Sequence, residues 1–283
     1  MTAATTRRRI VLGLGALAAA GGAATLLAPP SGIATPLPDT VEMTDMTWME
    51  VQAALDAGWR QVILPTGGFE QNGPHMTLSK HDHIVRAAAR RIARELGRTL
   101  VAPVISFVPQ GEWEPPTNNM RFAGTIGITP AAFEGLLDGV VRSLRRAGFR
   151  AICLIGDHGE SQAPQAAVAA RLDAAWRAEG VRVLQVASYY TATAEQDSWL
   201  RGRGETAASI GTHAGIADTS ELMSVHPAGV DLARLEGRRG NALAAFGASG
   251  DPARASIATG EALLPIRIAA ALAEIRAALP PRG

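Results

Sequence analysis

This sequence predicts an α/β fold of three layers (α/β/α), helices lying on both faces of a mostly parallel sheet, on two observations. Short apolar runs at residues 61–65, 100–107, 151–155 and 181–187 alternate with helical stretches at 82–96, 129–148 and 161–180. Two of these runs, ending at Leu64 and Ile155, open into glycine-containing loops that carry histidine and glutamate. Parallel sheets form their sites beyond the carboxyl ends of their strands, so both loops are drawn toward function.

The elements follow in order. Thr6-Arg7-Arg8-Arg9 precedes an apolar Gly/Ala/Leu stretch ending near Ala28, which reads as an export signal of the twin-arginine type over residues 1–34. An uncleaved membrane anchor is the competing reading, because the stretch is about as long as a spanning helix. The twin-arginine export machinery is then an expected partner, and the periplasm or another exported location the expected destination. Residues 35–46, with Pro36 and Pro38, read as a linker. The domain is expected over 47–283. Thr47 with Glu50 is a capping-box signature, and Trp48, Val51 and Leu55 fall at helical spacing before Gly58. Ile84, Ala88, Ile92 and Leu96 recur every fourth residue, with Gly97 at the position of a helix C-cap.

Composition narrows the function. The 283 residues suffice for one large core. Charged residues are 19% of the chain and the net charge is +1, so there is no footprint for a nucleic-acid partner. Cys153, the only cysteine, sits in an apolar strand run and reads as a core residue, since apolar surroundings disfavour the thiolate.

The six histidines lie in or beside polar, glycine-containing segments. A hard or borderline metal needs several nitrogen and oxygen donors converging from rigid strand ends. Gly156-Asp157-His158-Gly159-Glu160 offers an imidazole and a carboxylate two residues apart, and Glu70 follows the Gly67-Gly68 pair. His83 is expected to face solvent, His226 to belong to a turn and His75 to position its loop or act directly. The stretch from Glu112 to Asn119, containing Trp113, reads as a surface loop at a strand end, where a substrate lid could sit.

Four segments together resemble the creatininase family. They are Pro65-Thr66-Gly67-Gly68-Phe69-Glu70-Gln71-Asn72-Gly73-Pro74-His75, Phe122-Ala123-Gly124-Thr125, Gly156-Asp157-His158-Gly159-Glu160, and His213-Ala214-Gly215-Ile216-Ala217-Asp218-Thr219-Ser220. The resemblance implies a creatininase-like fold and a metal-dependent hydrolase of a carbon–nitrogen amide bond in a small, possibly cyclic, amide. It also implies zinc or manganese, one or two ions, and a homo-oligomer, commonly a hexamer.

By motif, Glu70, His158 and Glu160 match family metal ligands. Asn72 stands where the family has a histidine, and an ungapped register puts His81 where it has a bridging aspartate, with Asp82 one residue later. The expected metal residues are therefore Glu70, His81, His158 and Glu160, with Asp82 as the alternative to His81. His213 is the candidate for proton transfer or for stabilising the tetrahedral species, and Glu160 is an alternative general base. Asp218 is expected to hold His213 or a loop in place. Ser209 replaces a tryptophan that encloses the ring in creatinine-hydrolysing members, so another amide is the expected substrate. The competing functions are hydrolysis of a formamide or modified-peptide amide, and non-catalytic metal or ligand binding on the same scaffold.

Overall fold

The computed structural model describes residues 35–238 and 240–279; the segment read as an export signal lies outside the described residues. Helix α1 (Trp48–Asp56) begins with the anticipated capping box, Thr47 accepting from the Glu50 amide while Glu50 accepts from the Thr47 amide. Residues 41–46, expected as linker, dock on the sheet edge. The Val101 amide donates to the Val41 carbonyl at 2.8 Å, and Arg90 Nε meets the buried Glu42 carboxylate at 2.9 Å.

Strands β1 (Gln61–Thr66), β2 (Thr99–Val101), β3 (Ala151–Gly156) and β4 (Arg182–Gln185) form a parallel sheet in the order β2-β1-β3-β4. β1 and β3 pair over their full lengths, from Gln61 with Ala151 to Thr66 with Gly156, so both end at the same level. That shared level brings their following loops side by side.

Pleating divides the side chains between two cores. Val62, Leu64, Leu100, Ile152 and Leu154 point to one face, while Ile63, Val101, Cys153 and Ile155 point to the other. The first face is covered by α1, α3 (Pro130–Ala147) and α4 (Gln162–Trp176). On α3, Phe133, Leu137, Val141 and Leu144 form the buried stripe; Thr129 caps its start and Gly148, in the left-handed region, ends it. The second face is covered by α2 (Lys80–Leu96), α5 (Ala187–Thr191), α8 (Ile216–Val225) and α9 (Ile257–Ala278). Between α5 and α8 come α6 (Thr193–Arg201) and the short α7 (Ala207–Ile210).

Three expectations are corrected. The strand expected over 100–107 is only Thr99–Val101, because Pro103 has no N–H to donate; beyond it Ile105 makes a single bridge with Thr66. Helix α2 starts at Lys80 instead of Asp82, and its first turn points into the protein. The run 181–187 is strand only over Arg182–Gln185, and Ala187 already begins α5.

Candidate metal centre

The loop after β1 carries Glu70, and the start of α2 is pressed against that loop. A Cβ on Gly67 would lie 1.9 Å from Asp82 Oδ1 and 2.9 Å from the Asp82 backbone nitrogen, so only glycine allows this approach. Asp82 is consumed in the join: it accepts from the Gly68 amide at 3.1 Å and from Ser106 Oγ at 2.6 Å. The preceding two residues, Lys80 and His81, are thereby turned toward Glu70.

His81, from α2, and His158, from the loop after β3, grip the Glu70 carboxylate from two sides. His81 Nε2 lies 2.8 Å from Oε1, and His158 Nε2 lies 2.8 Å from Oε2. All three residues are buried, and their ligand atoms lie within 4.8 Å of one another. The His81 and His158 rings meet edge to face at 5.3 Å. Asn119 Nδ2 also donates to Glu70 Oε2 and is shared with Gln110 Oε1 at 3.1 Å.

Behind His81 stands a residue to which the sequence reading gave no role. Asp157 Oδ2 lies 2.6 Å from His81 Nδ1, and Asp157 Oδ1 accepts from Tyr189 Oη at 2.9 Å and from Arg267 Nη2 at 2.5 Å. Arg267, from α9, reaches on to Glu221 of α8 at 3.2 Å, and Gln196 donates to the other Glu221 oxygen at 2.6 Å. A carboxylate on the far nitrogen of a histidine fixes ring orientation and raises the basicity of the near nitrogen, as is usual behind a metal-ligating imidazole.

Electrostatics follow from this packing. Burial alone would raise Glu70, but His81, His158 and Lys80 hold it well below the usual carboxylate range. Burial and the Lys80 ammonium both oppose charge on His81; Glu70 and Asp157 outweigh them and lift it to about 9. Against its own burial, Asp157 is held far below its usual value by Arg267 and His81. His213 is lowered, first by burial and then by Lys80. Burial raises Glu221 to about 7 despite Arg267.

The donor set of one carboxylate and two imidazoles suits a borderline divalent cation such as zinc. Each nitrogen–oxygen contact within the cluster implies a proton on the imidazole that makes it. Release of the His81 Nε2 proton leaves a lone pair aimed at the Glu70 carboxylate, with Asp157 still holding Nδ1–H.

A cavity of about 660 Å³ opens over the cluster, its wall including Asn118, Arg121, Phe122, Tyr190, Thr212 and Asp218. His213 reaches it from the loop before α8. Its Nε2–H donates to the Gln71 carbonyl at 3.0 Å, which leaves Nδ1 as an acceptor 3.7 Å from Glu70 Oε1. Glu160 lines the cavity and accepts from Asn118 Nδ2 at 2.6 Å, outside the three-residue cluster.

The structure thus brings Glu70, His81, His158 and His213 together, sets Glu160 on the wall, and turns Asp82 to Ser106 and Gly68. Asp218, expected to brace His213 or a loop, accepts from Lys80 Nζ at 2.9 Å and from the Ala214 amide at 2.8 Å. Asn72 is a loop brace, donating to the Glu70 and Thr77 carbonyls at 2.9 Å. His75 is buried against Thr219 Oγ1 at 2.9 Å, and the partly buried His83 stacks on His226 with centroids 3.9 Å apart. Of the expected lid loop, the cavity takes Asn118 and Asn119, while Trp113 stands exposed.

Lys80, Asn119, Asp157 and Arg267 were missed. One signal was available for Arg267, a lone cation between Leu263-Leu264 and Ile268 in the middle of a helix whose other charged residues, Glu261, Glu274 and Arg276, lie nearer its ends.

Known proteins resemble this chain in sequence and in fold. The chain is 27% identical over 203 residues to a creatinine amidohydrolase of Pseudomonas putida, covering 69% of this chain and 76% of that one. It is 28% identical over 233 residues to a mycofactocin precursor peptide peptidase of Mycobacterium ulcerans (strain Agy99), covering 73% and 80% respectively. The crystal structure of a creatinine amidohydrolase superposes with a TM-score of 0.72 at 24% identity, over 87% of this chain and all of that one. Residues 44–275 match the creatininase family model, described as creatinine amidohydrolase. That match runs from the segment docked before α1 almost to the end of α9 and takes in every residue of the cluster, so the chain belongs to the creatininase family of amidohydrolases.

Proposed function

We propose that Glu70, His81 and His158 hold a divalent metal ion, zinc or manganese, and that the chain uses it to hydrolyse an amide bond of a substrate larger than creatinine. The observation that carries this reading is the convergence of three buried donors at the floor of a 660 Å³ cavity. A divalent ion held there supplies Lewis acidity, polarising an amide carbonyl and acidifying water.

The remaining tasks fall to the chain's own residues. Asp157 keeps the His81 ring oriented, and Asn119 steadies the Glu70 carboxylate. His213, with Nε2–H committed to the Gln71 carbonyl, offers Nδ1 as the group that accepts a proton and passes it to the leaving nitrogen. Its lowered pKa keeps that nitrogen free at neutral pH. Glu160, which also lines the cavity, is the alternative base.

Ser209 spends its hydroxyl capping α7 and donating to Glu205 at 2.8 Å, so it gives no aromatic face for a flat ring. The wall is rich in polar groups such as Asn118, Arg121 and Thr193, which suit a substrate with several amides, in keeping with the peptidases among the relatives. The test is hydrolysis by the full chain of a panel of cyclic amides, formamides and short peptides, with and without chelator. Turnover of a peptide-like amide that chelator abolishes and zinc or manganese restores is expected. A creatinine specificity constant of about 10⁴ M⁻¹s⁻¹ or more would overturn the substrate reading. Metal binding without turnover of any amide would favour a binding protein on this scaffold.

We also propose export through the twin-arginine route and assembly into a homo-oligomer. Changing Arg7 and Arg8 to lysine is expected to block export; unchanged periplasmic yield would leave an ordinary signal or an anchor. Light scattering of the purified protein reads the oligomer, and a monomer would overturn it.

A further inference from the structure

Lys80 is among the most deeply buried charged side chains described, at 1% exposure, yet it borders the cavity. Its ammonium lies 2.9 Å from Asp218 Oδ2 and 3.6 Å from Glu70 Oε1. Burying a lysine is costly unless nearby anions compensate it, so a lysine here has to be answered by the site.

Counting the linked charges shows what it answers. Glu70 and Asp218 share Lys80, while Asp157 and Glu221 share Arg267. Two pairs of carboxylates are thus each met by one fixed cation. With His81 neutral, as ligation requires, the group lacks two positive charges when Glu221 is ionised and one when burial keeps Glu221 protonated. One divalent ion covers that gap in either case, and a second would leave an excess of two or more beside the buried Lys80 ammonium.

We infer that Lys80 is a built-in cation of the site, occupying the electrostatic place of a second metal ion, so that this chain binds a single divalent ion. The inference rests on the metal-binding reading above. Lys80 also has donor capacity to spare: of three N–H groups, one makes a short bond to Asp218 and a second faces Glu70 at 3.6 Å. The remaining capacity is available to a substrate oxygen at the cavity wall.

The test is metal content and affinity of the full chain, measured by elemental mass spectrometry after gel filtration from excess zinc and by calorimetric titration. Wild type is expected to hold one ion per chain, and Lys80→Arg, which keeps the charge, also one. Lys80→Met removes a like charge next to the ion and is expected to bind zinc about tenfold more tightly, or to take up a second ion. Two ions in the wild type, or a Lys80→Met protein with both the wild-type ion count and the wild-type affinity, overturns the role of Lys80 and leaves the metal-binding reading standing. No ion in the wild type overturns both. The wild-type and Lys80→Arg counts decide the matter by themselves should Lys80→Met fail to fold.

Discussion

The two faces of the sheet are built from the same strands and differ in what they bury. On the face covered by α1, α3 and α4, Phe133, Leu137, Val141, Leu144, Val168 and Leu172 pack on Val62, Leu64, Ile152 and Leu154. The buried carboxylate there, Asp173, lies at the β4 edge, where it meets Arg182 at 2.8 Å and the more exposed Arg177. The face covered by α2, α8 and α9 instead buries Lys80, Glu221 and Arg267 next to Glu70, His81 and Asp157. One face holds the fold by apolar area, the other places charges that cost stability unless each meets a partner. Selection for stability alone would favour the first kind of face twice, so the second marks where the chemistry is.

Mutation can sharpen that contrast. Arg267→Met strands Asp157 and Glu221 as buried carboxylates without their cation. It is expected to destabilise the protein by about 3–5 kcal/mol, and to loosen metal binding because Asp157 no longer holds His81 firmly. Urea unfolding with and without zinc reads both effects. Leu137→Ala, on the apolar face, opens a cavity and is expected to cost about 2–4 kcal/mol. Zinc affinity measured on the folded variant should stay at the wild-type value. A loss of affinity in Leu137→Ala comparable to that in Arg267→Met would mean that the two faces are not functionally separate. Asp157→Asn keeps the shape of the side chain but removes the charge behind His81. Zinc affinity is expected to fall about 10–100-fold, equivalent to about 1.4–2.7 kcal/mol. An unchanged titration curve would remove Asp157 from the account of the site.

The same division governs what the sequence made legible. The apolar face announces itself through period: the i, i+4 stripe of α3 and the capping box of α1 are local patterns that packing did not override. The loops after β1 and β3 were legible from glycine, glutamate and histidine at strand ends, which drew Glu70 and His158, while His81 came from register with the family; the three do meet. The polar face hid its supports. Lys80 opens an inward-facing first turn of α2, ahead of the helix start expected at Asp82, and a polar residue at a helix start reads as solvent-facing. Asp157 stood beside His158 in a motif already noted, but its task, holding His81 across 76 residues of sequence, depends on a tertiary contact. Arg267 lies farther still, on a helix buried along much of its length and interrupted by Pro265, where apolar periodicity carries little information. Asp82 and Glu160 were placed by family register, and register alone does not tell which way a side chain turns. Asp82 turns to Gly68 and Ser106 because the closeness of Gly67 leaves its carboxylate between them.

The central claim, that the buried charges of the second face exist to hold a catalytic ion, has a direct test in anomalous diffraction from crystals grown with zinc and, separately, manganese. Data on either side of the metal edge should give a single strong peak per chain, within coordination distance of Glu70, His81 Nε2 and His158 Nε2, about 2.0–2.2 Å for zinc. A peak at other residues, or none at these three with the metal in excess, would contradict the account.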